Sequence, residues 1–353
     1  MTFGTAQTSG SFDNRPWTSK YAVTRFEHIC GHRDVVEFLQ EAVAHQQQML
    51  GHIIFYGPSG TGKTSLMNCV INEVFGVKNF GRDCTRDSKF VLRSNASDER
   101  CIVTVENRLQ KFVMCRNEEC ERRGIKRIVA LDEVDSMTPE AQSALQCLLA
   151  AYRDRVCFMM TCNDISNNVI RPLQSECIAL HVDNVSADDM AIMALRVAQL
   201  EGVKCTQEGI DALLLAANGD VRRMLNDYQA VACANNNLLD ENAVLSVSHA
   251  PPRVAVLQVL RRCVDNDFCG ALLLARHLVE AVGYDVSDIL TTMYTVVLND
   301  ALFLNGDERK MLHCQSVLCD TMIVAAKQQA TTRTLSGVLA KMCRQRCSVA
   351  KHQ

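Results

Sequence analysis

The sequence contains no long run of apolar residues, and this absence limits the class of protein it can encode. A membrane-spanning helix needs about 20 consecutive apolar residues, and the 353-residue chain has no such stretch. We therefore expect no membrane-spanning segment. The first six residues also lack the basic and apolar regions of a signal peptide, so secretion is not expected.

The eighteen cysteines include no C-x-x-C pair, the spacing typical of many zinc-binding and redox-active sites. Several of them, such as Cys69, lie in apolar runs and are typical of small reduced core residues. Zinc binding by Cys115 with Cys120, or by Cys343 with Cys347, is compatible with the spacing, but no second ligand pair follows either one. The sequence therefore favours structural cysteines over a zinc site.

The chain also lacks an excess of charge of either sign. Its net charge of −3 excludes a globally basic nucleic-acid-binding protein, although a local basic surface remains compatible with it. A hydrophobic content of 48% with 22% charged residues is typical of an ordinary globular protein. The length suits two or three domains.

One motif organises the sequence. Four apolar or aromatic residues from Ile53 predict a buried strand, a glycine-rich turn follows, and an apolar-periodic helix begins after it. The turn matches the phosphate-binding pattern G-x-x-x-x-G-K-[ST], whose backbone N–H groups surround phosphate oxygens. Lys63 is expected to reach the β and γ phosphates and Thr64 to bind Mg²⁺. The motif residues are Gly57, Pro58, Ser59, Gly60, Thr61, Gly62, Lys63, Thr64 and Ser65.

Two further polar groups follow predicted strands. Asp132 and Glu133 come directly after the short apolar stretch from Ile128, at the strand end where α/β sheets bind ligands. Asp132 is expected to bind Mg²⁺ through water, and Glu133 to orient the attacking water. Asn163 follows the apolar strand ending at Cys162 and is expected to contact the attacking water or the γ phosphate. The alternatives are a solvated loop for the acidic pair and a plain turn residue for Asn163.

Strands that alternate with helices predict an α/β fold with a parallel sheet covered on both faces. After residue 186 the strand patterns stop and helical patterns continue to the end of the chain. We predict a disordered lead-in over residues 1–15, an α/β domain over 16–183, a helical lid over 184–250 and a helical domain over 251–353. Residues 17–31 are predicted to be extended.

Several short boxes go beyond a generic phosphate loop. They are Asn95 to Arg100, Leu131 to Thr138 with Ala141 to Leu145, Cys162 with Asn163, Pro172 to Ser175, and Gly219 to Arg223 with Asn226. In this order they resemble boxes of the small subunits of replication factor C, the eukaryotic clamp loader of the AAA+ ATPases. The resemblance covers about residues 16–300, and its several independent boxes make it specific.

The resemblance implies an AAA+ P-loop ATPase with a five-stranded parallel sheet, a helical lid and a C-terminal helical collar that joins the subunits of a ring. It implies ATP and Mg²⁺ as ligands, with the phosphates against residues 57–65. Thr18 and Cys30 would lie against the adenine. Asn163 is similar to the first sensor of the γ phosphate, and Arg222 is similar to the second sensor, which reaches from the lid.

The resemblance further implies a function. The chain would be an ATP-hydrolysing subunit of a heteropentamer with other replication factor C subunits, which loads a sliding clamp onto primer–template DNA in the nucleus during replication and repair. One alternative is another AAA+ DNA motor, of the helicase-loader or branch-migration type. A second is a structural clamp-loader subunit with little ATPase activity.

The sequence departs from the family pattern at the surface expected to face the neighbouring subunit. The family's Ser-Arg-Cys, whose arginine reaches the neighbour's ATP, reads here Ser175-Glu176-Cys177. We therefore expect either a slow neighbouring site or a substitute such as Arg171.

A basic track for DNA is predicted at Arg100, Arg108 and Lys111, where phosphate contacts would be independent of base sequence. The alternative is a solvated helix surface, because Glu106 stands in their midst.

Overall fold

A computed structural model describes residues 15–44, 51–75, 89–96, 102–248, 251–299, 308–327 and 330–343. The lead-in predicted over residues 1–15, apart from Arg15, lies outside the described residues, and so do Arg100 and Cys347. The chain divides into two compact units, one up to Asp240 and the other from Glu241 onward. The separation of lid from α/β domain at residue 183, and of lid from collar at residue 250, stays a prediction.

The first unit is built around a five-stranded sheet, whose strands are β1 (His52–Tyr56), β2 (Val91–Asn95), β3 (Arg127–Asp132), β4 (Val156–Cys162) and β5 (Cys177–His181). They lie side by side in the order β2-β3-β4-β1-β5. All four pairings are parallel, which confirms the predicted α/β fold. In the register of the central pair, Ile53 lies opposite Met159.

Alternate residues of the central strands enter two separate cores, as the two-residue period of a strand requires. Ile53 and Phe55 pack in one core with the helix that follows the phosphate loop. Ile54, between them, packs in the other core with Leu109 and Leu145 from helices on the opposite face. The helices of this α/β part are α1 (Trp17–Lys20), α2 (Arg33–Ala44), α3 (Lys63–Phe75), α4 (Ile102–Met114), α5 (Glu118–Arg123), α6 (Pro139–Tyr152), α7 (Ile165–Asn168) and α8 (Arg171–Ser175).

Capping residues explain where several helices begin. The Thr138 side chain accepts a hydrogen bond from the Ala141 N–H, and Pro139 occupies the first helical position of α6, as predicted. The Asp220 side chain accepts from the Arg223 N–H and starts the last helix of the lid. The lid helices are α9 (Ala187–Glu201), α10 (Gln207–Ala217) and α11 (Val221–Ala234).

Two sequence-based expectations about secondary structure are wrong. Residues 17–31 are not simply extended, because they form α1 and a 3₁₀ turn over Phe26–His28. Strands do not end at residue 186, since two-residue strands β6 (Lys204–Cys205) and β7 (Leu238–Leu239) pair within the lid. Segments this short carry no usable periodicity.

The second unit is helical in its described residues and has its own core. Val259, Leu290, Leu318 and Leu339, from four different helices, are buried together there. Its helices are α12 (Glu241–Ser248), α13 (Arg253–Val264), α14 (Phe268–Arg276), α15 (Val286–Asn299), α16 (Glu308–Lys327) and α17 (Thr332–Cys343), with a π-helical turn over His277–Val282. In the described parts of the chain, no helix is long and apolar enough to cross a membrane.

Candidate active site

The phosphate-loop motif forms the turn between β1 and α3 and depends on glycine at two points of close approach. Gly57 has a φ of +146°, and a Cβ atom there would overlap the carbonyl oxygen of Val182. Gly60 has a φ of +72°, and a Cβ atom would overlap the carboxylate of Asp220. The Val221 N–H also donates to the Gly60 carbonyl at 3.2 Å. The loop therefore contacts the start of lid helix α11 directly.

Lys63, the first residue of α3, points back into this turn. Its Nζ donates to the carbonyl oxygens of Gly57 at 2.8 Å and Pro58 at 2.6 Å. It also donates to Asn163 Oδ1 at 3.0 Å. Only 8% of the residue is exposed, and burial lowers the pKa of the amino group below its usual value. Lys63 and Asn163, one hundred residues apart in sequence, thus meet at the carboxyl ends of two adjacent strands.

The acidic pair at the end of β3 contacts the same loop. Thr64 Oγ1 donates to Asp132 Oδ1 at 3.1 Å and lies 3.2 Å from Oδ2. Glu133 has a left-handed backbone with a φ of 58°, which is uncommon for a residue other than glycine. Such a conformation persists only where neighbouring groups stabilise it.

Thr161 is one of these neighbouring groups, and the sequence analysis missed it. Its hydroxyl accepts a hydrogen bond from the Glu133 N–H at 3.1 Å and donates to the Asp132 carboxylate. Thr161 is 1% exposed and lies near the end of β4, beside the end of β3. The available signal was a polar residue within the otherwise apolar stretch Val156–Cys162.

A second missed residue, Asp135, contacts the sensor position. The Asn163 N–H donates to Asp135 Oδ2 at 3.0 Å, so the carboxylate fixes the backbone of Asn163. Beside it, burial raises the pKa of the Cys162 thiol to about 12. That thiol therefore stays protonated and is a poor nucleophile.

These groups open onto a cavity of about 240 Å³. The sequence-predicted residues that line it are Thr18, Cys30, Ser59, Gly60, Thr61, Gly62, Lys63, Thr64, Ser65, Asp132, Glu133, Asn163 and Arg222. Gly57 and Pro58 are not among the lining residues and contact Lys63 instead. The structure thus brings the α/β strand ends, the N-terminal segment and the lid around one space.

The remaining predicted residues lie elsewhere. Arg108 and Lys111 are exposed on α4, three residues apart, and neither lines the cavity. Arg171 is exposed at the start of α8, and Glu176 follows the end of that helix. Neither of these two lines the cavity. Among the described residues there is no group of three or more potential metal-binding histidine, cysteine or acidic side chains.

A buried glutamine connects the acidic loop with the loop before α8. Gln142 is 1% exposed, and its Nε2 donates to the carbonyl oxygens of Met137 at 3.2 Å and Asn168 at 2.8 Å. Its Oε1 accepts from the Ile170 N–H at 2.9 Å. One side chain therefore joins the chain just after Glu133 to the segment that leads into Arg171.

Comparisons with known proteins identify the family. The sequence profile of the ATPase family associated with various cellular activities (AAA) matches residues 53–182. The replication factor C small subunit of Natronomonas pharaonis is 31% identical over 281 residues, which are 80% of this chain and 82% of the relative. The chain belongs to the replication factor C small-subunit family. It therefore carries an AAA ATPase domain.

Eukaryotic members of the family are equally similar. Replication factor C subunit 4 of Saccharomyces cerevisiae is 31% identical and covers 80% of this chain and 83% of its own length. Subunit 2 of Arabidopsis thaliana is 31% identical and covers 85% of both chains. Among solved structures, a variant of Thermotoga maritima RuvB aligns with a TM-score of 0.51 at 14% identity, over 74% of this chain and 80% of that one. This last likeness shows the AAA+ fold alone.

Proposed function

We propose that this chain binds and hydrolyses Mg·ATP in the cavity as one subunit of a clamp loader. The observation that carries the proposal is the convergence of Lys63, Thr64, Asp132, Glu133 and Asn163 on one space. A phosphate-binding turn, a hydroxyl–carboxylate pair and a water-orienting carboxylate are the groups that phosphoryl transfer to water requires.

The residues that line the cavity are chemically suited to both ATP and Mg²⁺. The three hydrogen-bond acceptors of the Lys63 ammonium are neutral oxygens, so its charge is available to an anionic phosphate. The Thr64 hydroxyl and the Asp132 carboxylate are in contact, and they are hard oxygen donors of the kind Mg²⁺ prefers. Bound Mg²⁺ would neutralise charge on the phosphates.

The other residues take the roles that their positions favour. Glu133 orients the attacking water and accepts its proton, with a backbone geometry supported by Thr161. The Asn163 amide contacts the γ phosphate or the water. Arg222 brings positive charge from the lid to the phosphates, and Thr18 and Cys30, which also line the cavity, contact the base.

Two substitutions test the proposal. Lys63→Ala removes the charge on the β and γ phosphates and should weaken ATP binding at least about tenfold, or about 1.4 kcal/mol. Glu133→Gln should bind ATP with parental affinity but lose hydrolysis. Titration calorimetry and single-turnover hydrolysis measure the two quantities, with Lys204→Ala, an exposed lysine of the lid, as the matched control. Unchanged affinity in Lys63→Ala, or parental turnover in Glu133→Gln, would refute the assignment.

Membership of the family also supports a proposal for the complex, the partners and the cellular location of this chain. We propose a heteropentamer with other replication factor C subunits, acting on a sliding clamp and on primer–template DNA in the nucleus. The exposed Arg108 and Lys111, with Arg100, would contact DNA phosphates without reading the bases. Charge removal at Arg108 and Lys111 should then flatten the salt dependence of DNA binding by the assembled complex.

A structural subunit with little ATPase activity is the second candidate. Glu176 stands where the family has the arginine that reaches the neighbour's ATP. This substitution predicts slow hydrolysis at the neighbouring subunit's site only. In the chain's own cavity the residues predicted for hydrolysis are all present: Lys63, Thr64, Asp132, Glu133, Asn163 and Arg222. Single-turnover hydrolysis by this subunit in the assembled ring separates the two candidates.

A further inference from the structure

The N-terminal segment over residues 17–29, which we term the strap, begins on the lid. The backbone N–H of Trp17 donates to Gln229 Oε1 of α11 at 2.8 Å. The Trp17 ring packs edge-to-face on Tyr228 of the same helix, with ring centroids 5.2 Å apart. The tryptophan is 7% exposed. Its contacts bury the start of the strap against the lid.

Glu201 makes a second attachment of the strap to the lid. This last residue of α9 forms an ion pair with the Lys20 ammonium at 2.6 Å and accepts a hydrogen bond from the Tyr21 hydroxyl. The Lys20 and Glu201 side chains are only 27% and 18% exposed. A carboxylate at a helix C-terminus is disfavoured by the helix dipole, and the adjacent ammonium offsets that cost.

The later part of the strap is attached to the α/β domain instead. The Asn72 side chain of α3 donates to the Thr24 carbonyl at 3.2 Å. Phe26 is 6% exposed and belongs to the core that contains the phosphate-loop helix, and Val23 and Ile29 pack against that core. The attachment thus changes from lid to α/β domain between Tyr21 and Val23.

The strap forms one wall of the cavity as it makes this crossing. Thr18, Tyr21, Ala22, Val23, His28 and Ile29 all line it. The phosphate-loop residues line the same space, so a ligand that fills the cavity contacts both. Such a ligand binds more tightly when the attached strap completes the wall, and because binding free energies at coupled sites are reciprocal, its binding also favours attachment of the strap.

We propose that Glu201 is a positioning residue of the nucleotide site: it fixes the strap to the lid so that residues 18–23 form the wall against the base. The inference rests on the proposed function, since the ligand of the cavity is taken to be a nucleotide. Glu201 itself is not among the residues that line the cavity. It acts through Lys20 and Tyr21.

The test uses the full chain and three probes, ATP, ADP and tripolyphosphate, which lacks the base. Glu201→Ala removes the ion pair with Lys20 and the hydrogen bond from Tyr21, so the fraction of chains with a formed wall falls. We expect ATP and ADP to bind about tenfold more weakly, because apparent affinity scales with the competent fraction. Tripolyphosphate should bind as to the parent. Glu208→Ala, at an exposed glutamate of the adjacent lid helix, is the matched control and should leave all three affinities unchanged.

Two further measurements separate positioning from a general loss of structure. Trp17 is the only tryptophan in the chain, so its emission should shift to the red in Glu201→Ala and return when ATP saturates the site. Lys20→Glu alone should weaken ATP binding, and the exchange Lys20→Glu with Glu201→Lys should restore most of it. If the alanine variant does not fold, Glu201→Gln, which removes the charge but keeps the shape of the side chain, replaces it as the test variant.

The outcomes distinguish this inference from the function on which it rests. A parental chain that binds no ATP would refute both. A parental chain that binds ATP, with Glu201→Ala and Glu201→Gln indistinguishable from Glu208→Ala, would overturn the positioning role alone. An equal loss of tripolyphosphate affinity would also overturn it, because the defect would then extend to the phosphate loop.

Discussion

The substitution Thr161→Val replaces the hydroxyl that joins the two acidic residues of the site. Valine has nearly the same shape, so the main change is the loss of two hydrogen bonds. The Glu133 N–H loses its acceptor, and the Asp132 carboxylate loses one donor but keeps the Thr64 hydroxyl. The left-handed backbone of Glu133 then loses the acceptor of its N–H and keeps the hydrogen bonds that its carbonyl accepts from Ser136.

The size of the effect follows from these contacts. A typical hydrogen bond contributes about 1 kcal/mol to stability, and the hydroxyl of Thr161, a residue that is 1% exposed, makes two. We expect the free energy of unfolding to fall by about 2 kcal/mol. If Glu133 relaxes toward the β region, its carboxylate leaves the water-orienting position. Hydrolysis should then fall at least about tenfold, which corresponds to about 1.4 kcal/mol in the barrier, while ATP affinity changes little because the phosphate loop is intact.

The assay compares Thr161→Val with Thr321→Val in the assembled complex. Thr321 is 7% exposed and donates to the Val317 carbonyl at 2.7 Å in the second unit, so it controls for the loss of a buried hydroxyl away from the site. Single-turnover hydrolysis, calorimetric ATP affinity and urea unfolding are measured for both. Equal hydrolysis by the two variants at saturating ATP would refute the role assigned to Thr161.

Three further predictions follow from single contacts. Gly60→Ala should weaken ATP binding at least about tenfold in calorimetry, because its Cβ would overlap the helix-capping carboxylate of Asp220 and its φ is +72°; parental affinity would show that the loop and lid can separate freely. His52 accepts a backbone N–H of β4 at Nδ1, and burial lowers its pKa from 6.5. Stability should therefore fall as the pH drops below about 6.5, by at most about 1.4 kcal/mol per pH unit, and His52→Gln should reduce that slope in urea unfolding. In the reconstituted ring, Glu176→Arg should raise ATP hydrolysis at the adjacent site if no other residue replaces the family's arginine. If Arg171 replaces it, Arg171→Ala should abolish that hydrolysis. If neither variant changes the rate, the alignment of this loop with the family is wrong or the neighbouring site is inactive.

Local sequence patterns were sufficient to predict the structure wherever it is decided by residues that are close in sequence. The phosphate loop, the helix start at Thr138 and the buried strands before Asp132 and Asn163 depend on short-range rules, such as glycine conformation, capping and apolar runs. The fold class followed from the alternation of strands and helices, and the strands predicted before the phosphate loop, Asp132 and Asn163 all pair in parallel. The short boxes that resemble replication factor C small subunits then specified the family that the comparisons show.

The same local rules failed where segments are short or contacts are distant. The four residues of α1 have no periodicity of their own, and the helix packs on a lid helix more than two hundred positions away. Gln142 was visible only as part of a family box, although its side chain joins the acidic loop to the segment before α8.

The sequence by itself therefore determined where Lys63, Asp132 and Glu133 lie, because they stand at fixed offsets from strands that any parallel sheet would align. Their roles at a nucleotide stay a prediction. Only the tertiary structure decided which groups support them. Thr161 meets Asp132 because β3 and β4 are adjacent and in register, and Glu201 meets Lys20 across 181 residues because the strap crosses to the lid. Such contacts depend on the packing of whole elements, and no local pattern in the chain encodes them.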